Sequence, residues 1–301
     1  MNGFSNTLKT WTLMAALGGL LMLVGGLIGG QAGLIMAFVF AIVLNGFVYW
    51  KSDSLALRAN GARELAPDEQ PRLHSIVGLL ADRAGIPMPR VYLVDRPEPN
   101  AFATGRDPKH AAIAVTTGLL DAVDERQLIG ILAHELSHVK NRDTLVGTIA
   151  ATIGGAISFL AQMGQFQLIF GGGGSDEEGG NPALALLAVI LAPIAAMIIQ
   201  LAVSRSREYL ADSTGALLTG DPEGLAQALE TLHAHQERTG LLARFRGHRG
   251  AEPEPQTNPA FSHLWIVSPL SGSSMASLFA THPPLEQRIA RLRSMRLRRA
   301  A

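Results

Sequence analysis

The chain has 301 residues, 48% of them hydrophobic and only 17% charged, and its 25 basic and 25 acidic side chains cancel to no formal net charge. A neutral chain has no global electrostatic attraction to nucleic acid, and the lack of cysteine excludes disulfides, thiolate metal ligands and a cysteine nucleophile. Any bound metal has to be held by histidine and carboxylate.

The apolar residues are bunched rather than spread. No Asp, Glu, Lys or Arg occurs in residues 10–50, about twice the ~20 residues that one spanning helix needs. Two helices joined by a tight turn near Gly29-Gly30-Gln31-Ala32-Gly33 are therefore predicted. A cleaved signal peptide is the rival reading, because Lys9 precedes the run, but its apolar core would stop much sooner. Further uncharged runs cover residues 145–174 and 181–204, so the pattern predicts about four transmembrane helices.

Charge placement sets the expected orientation. Lys9, Lys51, Arg58 and Arg63 flank the first pair of apolar segments, and Lys140, Arg142, Arg205 and Arg207 flank the second. The loop inside the second pair holds Asp176, Glu177 and Glu178 with no basic residue. By the positive-inside rule both termini and the intervening polar segment are expected in the cytoplasm, with Trp11, Tyr49 and Trp50 as an aromatic belt at that interface.

Between the apolar pairs, residues 52–144 have ordinary soluble composition. Residues 68–84 carry helical periodicity at Leu73, Ile76, Val77, Leu80 and Ala84 and end at the stop signal Gly85-Ile86-Pro87. Residues 90–94 and 111–116 read as strands bounded by Pro, Gly and Asp. A helix is predicted to open at Asp124 with Gln127 completing a capping box. With no proline to interrupt it, that helix is expected to continue into the third apolar run. Beyond the fourth run, residues 206–218, 223–239 and 285–298 read as helices. Residues 244–262, rich in Pro, Gly and charge, read as a mobile loop near the active site. The expected units are an N-terminal membrane hairpin (1–51), the first part of a catalytic domain (52–144), a second apolar pair (145–204) and the second part of that domain (205–301).

The chemistry lies in His134-Glu135-Leu136-Ser137-His138. Residues four apart share a helix face, so both imidazoles can reach one ion while Glu135 stays close enough to act on a metal-bound water. Apolar Leu128, Ile129, Ile131, Leu132 and Ala133 precede the motif, as a buried metal helix requires. A catalytic zinc site needs a third protein ligand. The pattern HExxHxxGxxH is excluded, since Asn141 and Thr144 stand where Gly and His would be. A glutamate on a second helix remains, and Glu208 in Arg207-Glu208-Tyr209-Leu210-Ala211-Asp212 is the best candidate. Asp212 lies one turn further on the same face, where it could accept the free N–H of a ligand histidine. The competing reading makes Glu208 and Asp212 solvated charges balanced by Arg205 and Arg207. Arg291, Arg293, Arg296, Arg298 and Arg299 read as a solvated helix end or a contact to anionic lipid.

Taken together, the apolar hairpin, Asn100-Ala101-Phe102, His134-Glu135-x-x-His138-x-x-x-Arg142-Asp143, Arg207-Glu208-Tyr209-x-Ala211-Asp212 and Thr281-His282-Pro283-Pro284-x-x-x-Arg288 resemble the HtpX family of membrane-integrated zinc metalloproteases, relatives of the CAAX prenyl endopeptidases. The resemblance implies an α+β integral membrane protein of the cell inner or plasma membrane, with a mainly helical gluzincin-type zinc metalloprotease domain and a small β-sheet. It further implies one Zn2+ held by His134, His138 and Glu208, Glu135 as general base, and misfolded or damaged membrane proteins as substrates in quality control. Asn100 is expected to contact the substrate backbone, and His282 and Arg288 to steady the tetrahedral intermediate. The competing reading of these three is a turn residue, a structural His-Pro turn and an Arg paired with a carboxylate. Two other functions stand beside this one. A prenyl-protein endopeptidase is disfavoured by the missing extra spanning segments, and a non-catalytic zinc-bound scaffold by the retained Glu135.

Overall fold

The computed structural model describes residues 2–147, 149, 205–246 and 283–295. Most of the third apolar run, the whole fourth, most of the expected loop at 244–262, His282 and the residues after 295 lie outside the described residues.

Helix α1 (Asn2–Ala59) is broken at Gly30, where φ is 56° and ψ −140°, a left-handed conformation that glycine alone enters without a side-chain penalty. The two halves fold back on each other as predicted. Leu13, Met14 and Leu17 pack with Val48 and with Val146 and Ile149, and Asn45 Nδ2 donates to the Met14 carbonyl at 3.1 Å. Among the described residues one helix, Gly30–Ala59, is long and apolar enough to cross a membrane. Its outer face leaves Ile35, Met36, Phe40 and Val43 more than half exposed, a patch of apolar surface that water would penalise and hydrocarbon would not.

After α1 come β1 (Ala62–Glu64) and α2 (Pro71–Ala84), which ends on left-handed Gly85. Strands β2 (Arg90–Val94), β3 (Ala101–Thr104) and β4 (Ala112–Thr116) complete one sheet in the order β1-β2-β4-β3. The β2–β4 pair is parallel and both edge pairs are antiparallel. The sequence reading missed β1 and β3. The first is only three residues long, and β3 is Ala-Phe-Ala-Thr, buried on both faces and lacking an alternating pattern.

Helices α3 (Thr117–Ala122) and α4 (Glu125–Lys140) follow. The predicted capping box is present, with Asp124 accepting from the Gln127 N–H at 2.8 Å and Gln127 Oε1 accepting from the Asp124 N–H at 3.3 Å. Helix α4 does not continue into the apolar run. It stops at Lys140, and Arg142 adopts φ 59° before the chain resumes helical structure at Thr144. The Arg142 N–H donates to the Val139 carbonyl and the Asp143 N–H to the His138 carbonyl, so the end is closed by its own backbone without proline or glycine.

Helix α5 (Arg205–Thr219), α6 (Pro222–Arg246) and α7 (Leu285–Ser294) complete the described chain. The last is shorter than expected, because Met295 is extended. Of the basic residues near it, Arg291 stacks 4.1 Å from the Tyr209 ring centroid and Arg293 pairs with Glu223 and Glu230 on α6. The main core joins α2, the inner face of the sheet, α4, α5 and α6 through Leu80, Ile113, Leu132, Leu136, Ala216 and Leu229. Helix α4 runs through its centre, with Gly130 through Ser137 all buried.

Candidate metal centre

Glycines set how closely the helices approach α4. A Cβ on Gly130 would lie 2.7 Å from the Leu225 nitrogen of α6, and one on Gly215 would lie 3.0 Å from the backbone nitrogen of His134. Glu208, Asp212 and Gly215 share one face of α5. The close approach at Gly215 therefore carries both carboxylates against the histidine face of α4.

The three predicted ligands meet there. His134 Nε2 and His138 Nε2 are 3.2 Å apart, His138 Nε2 lies 3.6 Å from Glu208 Oε1, and His134 Nε2 lies 3.7 Å from Glu208 Oε2. Among the described residues, one group of three or more His, Cys, Asp or Glu side chains could hold a metal ion, and these three compose it. Two ligands on a tetrahedral ion at bond lengths of about 2.1 Å stand about 3.4 Å apart. The observed edges bracket that value.

Charge agrees with geometry. Glu135, Asp143, Glu208 and Asp212 are buried, whereas the arginines among them are fully buried Arg288 and partly buried Arg207. Ionised, the four carboxylates leave two negative charges uncancelled, and a dication closes the balance. Without metal, protons do so. Burial pushes the Glu135 carboxyl up to about 8, aided by the neighbouring Glu208 charge. His138 is pushed down by burial, but Asp143, Glu208 and Glu135 outweigh this and raise it to about 9. Burial lowers His134, so Glu135 and His138 are the two groups inclined to hold protons when no ion is bound.

Each histidine has a carboxylate behind it. His134 Nδ1 stands 3.0 Å from Asp212 Oδ1, although its N–H is not aligned with that oxygen. Asp212 is clamped by Arg288, whose Nε and Nη2 reach its two oxygens at 2.9 and 2.7 Å. Burial alone would raise the Asp212 carboxyl, but the Arg288 guanidinium dominates and holds it near about 2. His138 Nδ1 faces Asp143 Oδ2 at 3.3 Å. The sequence reading named Asp212 for this role and missed Asp143, because a continuous helix would carry residue 143 away from His138.

The other candidates are placed as follows. Glu135 is held at its carboxylate by the Ala103 N–H of β3, 3.0 Å from Oε2. Asn100 sits buried at the head of β3, its Oδ1 accepting from the Ala101 N–H and its own N–H donating to Thr116 Oγ1. Since Asn100 bonds to β4 through its backbone, alternation turns the Ala101 and Ala103 N–H groups outward, toward the edge that faces α4. Arg288 is 1% exposed, and besides Asp212 its Nη2 lies 3.5 Å from His134 Nε2. It stands against the metal-ligand cluster rather than at a surface.

Two histidines one turn apart on a buried helix, a glutamate between them and a third candidate ligand from the next described helix form the kind of centre that a metallopeptidase uses. Comparison with known proteins agrees. The profile of peptidase family M48 matches residues 67–296. The chain is 52% identical over 292 residues to a protease HtpX homolog of Persephonella marina, covering 96% of this chain and 97% of the relative. It is 50% identical over 293 residues to one of Pyrococcus furiosus, covering 97% of each, and 50% identical over 290 residues to one of Desulforapulum autotrophicum. The crystal structure of S. mikatae Ste24p shares the fold with a TM-score of 0.52 at 19% identity, and the chain covers 65% of that longer protein. The chain belongs to peptidase family M48 and is a metalloprotease.

Proposed function

We propose that this protein is a membrane-integrated zinc endopeptidase that cuts misfolded or damaged membrane proteins near the cytoplasmic surface of the cell inner membrane. The observation that carries the reading is the meeting of His134, His138 and Glu208 at tetrahedral spacing, with Glu135 beside them on the same helix. Imidazole and carboxylate in this number and spacing suit zinc. When bound, zinc would lower the pKa of water and polarise a scissile carbonyl.

The protein's own groups supply the remainder. Glu135, ionised once a dication is bound, takes the proton of the attacking water and delivers it to the leaving amine. The Ala103 N–H fixes the carboxylate for that task. With the Ala101 and Ala103 N–H groups engaged by Asn100 Oδ1 and Glu135, an extended substrate would lie along the outward edge of β3 through the carbonyls of these residues, with Asn100 at its head. Arg288 and His282 are proposed to steady the developing charge, Arg288 from its place beside His134.

Four spanning segments, with both termini and the catalytic halves 52–144 and 205–301 on the cytoplasmic side, complete the proposal. Its support is the charge placement along the chain and the one apolar helix of spanning length among the described residues. Anchoring would raise the effective concentration of membrane-bound substrates. The test is cleavage of casein by detergent-purified protein, wild type against Glu135→Gln, with metal content measured in both. About one zinc per chain in each and activity in wild type alone is the expected result. Zinc in both and cleavage by neither would replace the reading with a scaffold.

A further inference from the structure

We infer that Asp143 is the positioning residue of His138, and that the break between α4 and the following helical residues is what places it there. The inference rests on reading His134, His138 and Glu208 as metal ligands.

Were α4 continuous, residue 143 would project well around the helix from His138 and could not reach its ring. The chain instead closes α4 with two paired backbone bonds, Arg142 N–H to Val139 carbonyl at 3.1 Å and Asp143 N–H to His138 carbonyl at 2.9 Å. Between them Arg142 takes φ 59°. This closure is usually built with glycine, and a side chain there is strained. Strain tolerated beside a cluster of functional groups is commonly tied to what it positions. Here it swings the Asp143 carboxylate back onto Nδ1 of His138, the ring nitrogen that faces away from Glu208 and His134.

One further contact holds the arrangement. The next residue, Thr144, donates its hydroxyl to the Gly105 carbonyl at 2.9 Å, tying the break to the chain just after β3. Gly105 has φ 134°, and a Cβ on it would stand 2.5 Å from the His110 carbonyl oxygen, so the anchoring loop is itself tightly seated. The Asp143 carboxylate is 6% exposed. By accepting a hydrogen bond from Nδ1–H, the carboxylate leaves the Nε2 lone pair directed at the metal position and fixes the ring plane. His138 is thus held at Nδ1 by Asp143 and turned by it toward Glu208, as Asp212 stands behind His134.

The experiment uses the full chain in detergent and compares wild type, Asp143→Ala, Asp143→Asn, Arg142→Gly and Glu208→Gln. Three quantities are read: the zinc dissociation constant by chelator competition, the visible spectrum of the cobalt-substituted protein, and unfolding of the metal-free protein. Asp143→Ala is expected to weaken zinc binding about 10- to 100-fold and to shift the cobalt bands. Asp143→Asn should lie between it and wild type, because the amide oxygen still accepts from Nδ1. Arg142→Gly, which relieves the cap without touching the carboxylate, should leave affinity within about twofold. Unchanged zinc affinity and cobalt spectrum in Asp143→Ala would overturn the inference, and lowered metal-free stability alone would make Asp143 a helix cap only. If Asp143→Ala does not fold, Asp143→Asn decides on the same readouts. Failure of wild type to take up zinc, or equal uptake by Glu208→Gln, would instead remove the ligand assignment on which the inference stands.

Discussion

The two histidines of the metal centre sit one turn apart on one helix, yet their surroundings differ in kind. His134 is 1% exposed and backed by Asp212, which Arg288 clamps with two short hydrogen bonds from α7. His138 has a side chain 16% exposed and is backed by Asp143, a residue of its own chain segment at the helix break. One half is sealed by long-range tertiary contacts, the other by a local turn. A buried charge can thus be balanced either by a partner brought from across the fold or by a proton. In the metal-free state the sealed half uses Arg288, whereas the more open half uses a proton on His138.

Variants and titrations can tell the two halves apart. The largest expected effect is on the sealed side: Arg288→Ala leaves Asp212 buried and unpaired, at a cost of about 3–5 kcal/mol in denaturant unfolding. The double change Asp212→Leu with Arg288→Met should recover most of that loss, since an apolar pair needs no charge balance. Equal losses in the single and double variants would show that the clamp matters for packing rather than charge.

Next comes the open side, where the sign is opposite. His138 is raised from 6.5 to about 9. Its stabilising contribution to the metal-free protein is therefore full below pH 6.5 and lost as pH rises through 9, on the order of 3 kcal/mol. The raised Glu135 carboxyl acts in the same direction as pH climbs through 8. The metal-loaded protein should show no such loss, because the ion replaces both protons. Calorimetry in buffers of different ionisation enthalpy should then register about two protons released per metal bound near pH 7. A flat metal-free stability profile between pH 6.5 and 9 would contradict this.

A smaller effect is expected in acid. Asp212 is depressed from 3.8 to about 2, so its contribution of roughly 2 kcal/mol is present above pH 4 and lost as pH falls through 2. Arg288→Ala should abolish that dependence. The smallest effect serves as a control. Asp124→Ala removes the cap of the helix that carries both histidines and should cost about 1 kcal/mol while leaving metal affinity unchanged, because it touches neither half selectively.

Much of the site was legible in the sequence because it depends on local periodicity. The spacing of His134, Glu135 and His138, the face shared by Glu208 and Asp212, the capping box at Asp124 and the glycine break at residue 30 are all relations within a few residues. Other features left no local trace. Strand β3 lacks an alternating pattern because both its faces are buried, and the end of α4 falls at Asn141-Arg142-Asp143, where neither proline nor glycine marks a stop. The Arg288–Asp212 clamp joins residues 76 apart in sequence, and no spacing rule relates them.

Residue identity and spacing are enough to show which residues can bind a metal, which helix faces they occupy and which stretch is apolar enough to cross a bilayer, because periodicity and composition act over a few turns of chain. Only packing in three dimensions shows that Gly215 brings Glu208 against His134, that β3 lends a backbone N–H to Glu135, and that Arg288 clamps the Asp212 carboxylate behind His134. Those relations follow from how closely buried backbones approach and how buried charges are balanced, and both are properties of packing between segments distant in the chain.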